Sequence, residues 1–326
     1  MITFWFAILV LAWVLYFVLE GFDFGVGVLA PFLGRDEHER GAAIRTIGPF
    51  WDGNEVWLVA AIGVTFAAFP DWYAVLLSAL YLPMVAILLL LAVRGVALEF
   101  RGKHDSPAWR RRCDWLLSGS SAGVVLLWGA QLGIFVHGLA LNADGVVTGN
   151  GLGRSLSPLV TPAAGLGALA GLLGTVLLGA TFLALRTTGP VRRRAVSLAR
   201  NGGNLGTVGL LLAGIATGSR LTLVAAVVCF VAGMLARRGR EGGAFTAVAL
   251  GVAAAVVTVF TTHGSVVLRS TLDPLWSLTR TQAAASPSAL RLITIAGVLI
   301  LPGVLAYQAW SYWVFRRRVA SERIAS

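Results

Sequence analysis

Five ionisable residues sit inside or beside long apolar runs: Glu20, Asp23, Asp52, Glu55 and Arg94. Such side chains are costly at membrane depth, so they mark proton relays, ion paths or buried counter-ion pairs. Glu20 and Asp23 are three residues apart in the otherwise apolar run 2–33 and share one helical face. At 1.5 Å per residue, Asp23 lies roughly 30 Å along that helix, near its inner boundary. Gly21, Gly25 and Gly27 thin the helix there and permit close packing. The run Trp51-Asp52-Gly53-Asn54-Glu55-Val56-Trp57 opens the next apolar segment. Asp52 and Glu55 have the form of a capping box and suit a helix dipole. Trp51 and Trp57 fit an interfacial aromatic belt. The same acids, level with Asp23 on a neighbouring helix, could equally accept protons from the cytoplasm and pass them inward. Arg94 follows the apolar stretch 80–93 and either pairs with one of these acids or snorkels to lipid phosphate.

Other chemistries find less support. His38 and His104 fall in polar loops, and His137 and His263 at the outer ends of apolar segments. A membrane haem needs an axial ligand facing a helical bundle, so none of the four is expected to hold one. Cys113 and Cys229 fall in different segments without metal-type spacing, and no disulfide is expected between them. No Ser-His-Asp set or phosphate-cradling loop is visible.

The elements that must position these residues follow from composition. The chain of 326 residues is 57% hydrophobic and only 13% charged. A soluble domain has about 25% charged residues. In lipid every backbone polar group needs an internal partner, and long unbroken apolar runs decide for helices over a barrel. Helices are expected near 3–30, 50–69, 73–95, 115–139, 160–185, 198–217, 221–236, 243–262 and 290–315. Gly218, Ser219 and Arg220 supply the turn between the sixth and seventh. The first run is too long for a signal-peptide core and is expected to be retained. Gly165, Gly167, Gly171 and Gly174, with Gly206 and Gly209, suggest close helix contacts.

The charges give the direction of threading. Of the 26 Lys and Arg, 21 lie in or beside the odd-numbered loops and the C-terminal tail. Cytoplasmic loops carry such an excess, so the N-terminus is expected outside and the C-terminus in the cytoplasm. Dropping any helix scrambles the alternation. The net charge of +11 is thereby assigned to topology and anionic lipid, not to nucleic acid. The fold expected is an all-α polytopic membrane protein with about nine transmembrane helices. Residues 1–139 and 160–262 would form two four-helix units, and 290–315 an additional helix, within one membrane domain. The acid-rich first loop, with Asp36, Glu37 and Glu39, looks ordinary.

Four motifs in order carry a resemblance. They are Gly21-Phe22-Asp23-Phe24-Gly25-Val26-Gly27, and Pro49 through Leu58 with its Trp51-Asp52-Gly53-Asn54-Glu55 core. Phe100-Arg101-Gly102-Lys103 follows, with Trp109-Arg110 and Asp114-Trp115, then Gly179-Ala180-Thr181 with Arg186-Thr187 and Gly189. Together they resemble subunit II of the cytochrome bd quinol oxidases across the first 200 residues. Gly102 departs from relatives that carry a polar residue there.

The resemblance implies a larger partner, subunit I, holding two b-type haems, haem d and the quinol site. The complex would oxidise the quinol pool, reduce oxygen to water and draw its protons from the cytoplasm of a bacterial cell. Subunit II would bind no haem. It would stabilise its partner, supply protons and, in some members, carry an oxygen route. By motif, Asp52 is the first acid of the proton path, with Asp23, Glu55 and Glu20 nearby and Arg94 as charge partner. Trp57 would line an oxygen route if this member has one, while Trp51, Gly53, Asn54, Arg101, Lys103 and Asp114 complete the motifs. A lipid or quinone bound structurally and a small accessory subunit are further candidate partners. Two alternatives compete: a proton-coupled transporter, active by itself in liposomes, and a purely structural scaffold in which Asp52 only caps its helix.

Overall fold

A computed structural model describes residues 1–217 and 220–321. Gly218 and Ser219, read above as part of a turn, lie outside the described residues. Thirteen helices run through the rest: α1 (Ile2–Leu33), α2 (Glu37–Arg45), α3 (Trp51–Ala68), α4 (Pro70–Ala79), α5 (Tyr81–Phe100), α6 (Pro107–His137) and α7 (Gly151–Leu156) come first. They are followed by α8 (Pro162–Arg186), α9 (Gly189–Thr217), α10 (Arg220–Arg237), α11 (Glu241–Thr261), α12 (Arg280–Ala283) and α13 (Pro287–Val314). Among the described residues, six helices (α1, α5, α6, α8, α11 and α13) are long and apolar enough to cross a membrane. The α3–α4 pair, bent by 120°, qualifies as a seventh if taken as one span. The helical membrane architecture is therefore as expected. The charged start of α9 and the short apolar length of α10 keep those two outside the same criterion.

One predicted segment is corrected. Residues 73–95 are not one helix but the end of α4 and most of α5, with Leu80 outside both. Two prolines explain the breaks. Pro70 has no N–H for the carbonyl of Phe66 and forces Phe69 out of helical conformation, to φ −137° and ψ 63°. Pro83 would clash with the carbonyl of Ala79, so α4 ends at Ala79 and α5 restarts at Tyr81. Hydropathy cannot register either event, because every residue around the breaks is apolar enough to continue the run.

Helix α1 is the hub. It packs against α3, α6, α8 and α11. Its approach to α8 is set by two glycines: a Cβ built on Gly25 would lie 2.2 Å from the Thr175 carbonyl oxygen and 2.7 Å from Gly179 Cα. Helices α6 and α8 cross in the same way at Gly129, Gly133 and Gly167. Of the glycines singled out by sequence, Gly167 and Gly171 face a neighbouring backbone, whereas Gly165 and Gly209 face open space. Around α1 the core divides into two apolar clusters. One holds Trp5, Trp13, Trp72, Trp128 and Phe260. The other is centred on Phe22, whose ring stacks on Phe182 at 4.1 Å between centroids.

The long loops after α6 and α11 pack on each other. Leu139 bridges to Ser270, whose hydroxyl donates to the Leu141 carbonyl at 2.8 Å. A two-stranded hairpin, β1 (Val266–Leu268) with β2 (Leu278–Thr279), completes that cap. By contrast α13 lies at the periphery: Leu290 is its one buried residue, and Leu292, Val298, Leu299 and Trp310 point outward.

Candidate functional site

Four helices converge on the acids of α1. Glu20 and Asp23 are both 0% exposed, although no water-accessible loop separates them from the apolar run that contains them. Arg94 enters from α5, also 0% exposed. Its guanidinium meets the Glu20 carboxylate at 3.4 Å and lies 4.7 Å from the centroid of the Phe24 ring. Snorkelling is therefore overturned: the side chain turns inward onto a buried carboxylate and an aromatic face. The contact is loose, with a second N–O separation of 3.5 Å.

Asp23 is held differently. Its Oδ2 accepts a 2.6 Å hydrogen bond from the side-chain amide of Asn54, itself wholly buried on α3. The Asn54 Oδ1 accepts from Gln308 Nε2 and from the Tyr312 hydroxyl, both at 2.8 Å and both on α13. Gln308 packs beside Gly53, its Oε1 at ordinary contact distance, 3.5 Å, from where a Cβ there would sit. Tyr312 is fixed by stacking on Phe50, 4.5 Å between centroids and 8° from parallel. Sequence reasoning passed over Gln308 and Tyr312. They are ordinary amphipathic residues in an apolar helix more than 250 positions from Asn54, and only their spacing of four, on one helical face, hinted at a shared target.

The start of α3 also corrects an expectation. Its N-cap is Phe50, and no side chain caps it, so Asp52 and Glu55 do not form a capping box. Asp52 is exposed in the first turn and Glu55 half-buried. Asp52 thus faces outward two residues before the buried Asn54. Trp51 is half-buried against Gly95 of α5, and Trp57 is buried among core residues, so Trp57 is not at an exposed belt position.

A second group of charges ties the loops at this end of the bundle. Asp114, 0% exposed on α6, binds Arg40 of α2 at 2.8 Å and Arg101 at 2.6 Å. Glu39 takes Arg194 of α9 at 2.6 Å and the backbone N–H of Arg35 at 2.7 Å. Arg110 binds both Glu37 and Asp105, and Arg192 binds Glu241. Lys103 stays exposed in the turn after α5. The first loop is tied into the fold: Asp36 accepts from Glu39 N as the N-cap of α2, and Glu37 and Glu39 are ion-paired. The clue was Asp36 with Glu39 three residues on, a helix-start pattern.

Arg194 and the Arg35 amide hold the Glu39 carboxyl below its usual range. A carboxyl with a depressed folded-state value adds stability above the unfolded value of about 4.3, and loses it as pH falls through the folded one. Acidification below about pH 4 should therefore close the stability gap between the native chain and Glu39→Gln. At pH 7 that gap should be about 1 kcal/mol in favour of the native chain, read by thermal melting of the solubilised protein.

His263 bonds the Val136 carbonyl at 3.0 Å, and His104 accepts from Ser106 N at 3.1 Å. Among the described residues, no group of three or more His, Cys, Asp or Glu is arranged to hold a metal ion. Cys113 and Cys229 are buried free thiols.

Comparison with known proteins accords with this geometry. The family described as cytochrome bd terminal oxidase subunit II matches residues 1–315. The cytochrome bd ubiquinol oxidase subunit 2 of Bacillus subtilis is 36% identical over 97% of this chain and 96% of its own length. The cytochrome bd-I ubiquinol oxidase subunit 2 of Escherichia coli K12 is 29% identical over 94% of this chain and 92% of its own. A chain of the bd oxidase of Geobacillus thermodenitrificans shares the fold, with a TM-score of 0.72 at 20% identity over 96% of this chain and 98% of that one. With its membrane helices, its motif residues and this match over nearly its full length, the chain belongs to the cytochrome bd terminal oxidase subunit II family and is a multi-pass membrane subunit of a terminal oxidase.

Proposed function

We propose that this subunit delivers protons from the cytoplasm to the oxidase, through Asp52, Glu55, Asp23 and Glu20, while subunit I carries the two b-type haems and haem d. The observation that carries this reading is the 2.6 Å bond from Asn54 to the fully buried Asp23. It joins a buried carboxylate on α1 to the helix that begins with the exposed Asp52. Asp52 takes a proton from solvent, Glu55 stands one helical turn inward on α3, and Asp23 and Glu20 receive it on one face of α1. A carboxyl can relay only if it releases what it accepts. The loose Glu20–Arg94 contact, at 3.4 and 3.5 Å, allows that without dismantling a tight bidentate pair.

In this reading the N-terminus is outside, the C-terminus is cytoplasmic and the chain crosses the bilayer nine times, by α1, α3, α5, α6, α8, α9, α10, α11 and α13. Trp57, one turn beyond Asn54 on α3, lines an oxygen route. The scaffold alternative loses its main support, since Asp52 does not cap α3.

Asp52→Asn tests the path. The change keeps shape and polarity and removes a charge worth about 0.5 kcal/mol to the helix start. Quinol-driven oxygen consumption by the assembled oxidase should fall on the order of tenfold to a hundredfold, with haem content unchanged. Native turnover in Asp52→Asn would leave the subunit a scaffold.

A further inference from the structure

Helix α13 presents a contradiction. It is the most peripheral long helix, with Leu290 its one buried residue, yet two of its polar side chains turn inward and meet at a single atom. Gln308 Nε2 and the Tyr312 hydroxyl both donate to Asn54 Oδ1 at 2.8 Å. An amide oxygen has two lone pairs, and these donors use both. This arrangement directs its Nδ2 toward Asp23 and the Leu19 carbonyl, and its oxygen toward α13. Turned over, Oδ1 would face the Asp23 carboxylate, and the Tyr312 hydroxyl and the Gln308 amide would both have to reorient to accept from Nδ2.

We propose that Gln308 and Tyr312 are positioning residues that lock the Asn54 amide as a donor to Asp23, and so fix which proton states Asp23 can exchange. This rests on the proton-path reading above. The lock is redundant by construction: with either partner alone, turning the amide over still obliges that partner to reorient as an acceptor. Tyr312 keeps its place through its stack on Phe50, and Gln308 packs beside Gly53, so neither is placed by the other.

Redundancy gives a distinctive expected result. In the intact two-subunit oxidase, Tyr312→Phe and Gln308→Met should each leave turnover within about twofold of native, whereas the double variant should lose about tenfold, more than the product of the singles. Its solvent deuterium isotope effect should rise with the loss. Infrared difference spectroscopy reads the hydrogen bonding of the Asp23 carboxyl directly, its band assigned by disappearance in Asp23→Asn. That band should keep its position in each single variant and move or split in the double. An additive double variant with native isotope effect and unmoved band would overturn the proposal and leave the pair a packing contact. The proton-path reading fails separately, if Asp23→Asn itself turns over at the native rate. The band shift in the double variant would then still report whether the amide is locked.

Discussion

Arg94→Met should destabilise the subunit by about 3–5 kcal/mol, because it strands Glu20 as an uncompensated carboxylate in a fully buried site. Methionine conserves length and apolar stem, so the loss reports the charge and its seat over the Phe24 ring. The companion double variant, Glu20→Met with Arg94→Met, should recover most of that stability, since a buried ion pair is often no better than well-packed apolar side chains. It should not recover quinol oxidase turnover if Glu20 relays protons. Thermal melting of the solubilised complex reads the first outcome and oxygen consumption the second. A single variant as stable as the native chain would mean that the pair is not closed in the membrane. A double variant with native turnover would remove Glu20 from the path.

The second large effect concerns packing. Gly25→Val should abolish assembly of the subunit, at a cost on the order of 3 kcal/mol or more. The added Cβ alone would fall 2.2 Å from the Thr175 carbonyl oxygen, and Gly179 presents backbone, not a movable side chain, at 2.7 Å. Only separation of α1 from α8 relieves the clash, and α1 is the helix on which four others pack. Gly63→Ala and Gly165→Ala are the controls: nothing lies within 4 Å of either new Cβ, so each should stay within about 0.5 kcal/mol of native. Yield of intact complex by size-exclusion chromatography separates the cases. Normal assembly of Gly25→Val would show that the α1–α8 crossing is not as close as described.

Both results bear on the same region. Asp23 lies two residues from Gly25, on the face of α1 opposite the α8 crossing. That face is sealed by Asn54 and, behind it, by α13. In the proposed proton path the acids are reached from the α3 end, where Asp52 is exposed. The Asp114 and Glu39 ion pairs tie α2, α6 and α9 to the same end and hold the loops in place around it.

The amino-acid sequence by itself determined the solvent, the helices and the acids. Apolar length and scarcity of charge require a membrane, and the ends of α1, α6, α8 and α11 fall within a few residues of where the apolar runs end, apart from the amphipathic first turns of α6. Glu20, Asp23 and Arg94 announced themselves because a charge in an apolar run is a local anomaly. Only the tertiary structure decided what those residues touch. It turned Arg94 onto Glu20 and not toward phosphate, left Asp52 out of any cap, and made ion-pair partners of first-loop acids that looked ordinary. It also brought Gln308 and Tyr312 to Asn54 across some 250 residues. Hydropathy and helical periodicity are sums over neighbours in the chain, so they place elements. A hydrogen bond between α3 and α13 depends on how helices cross, which glycines at their contacts set and no local pattern encodes.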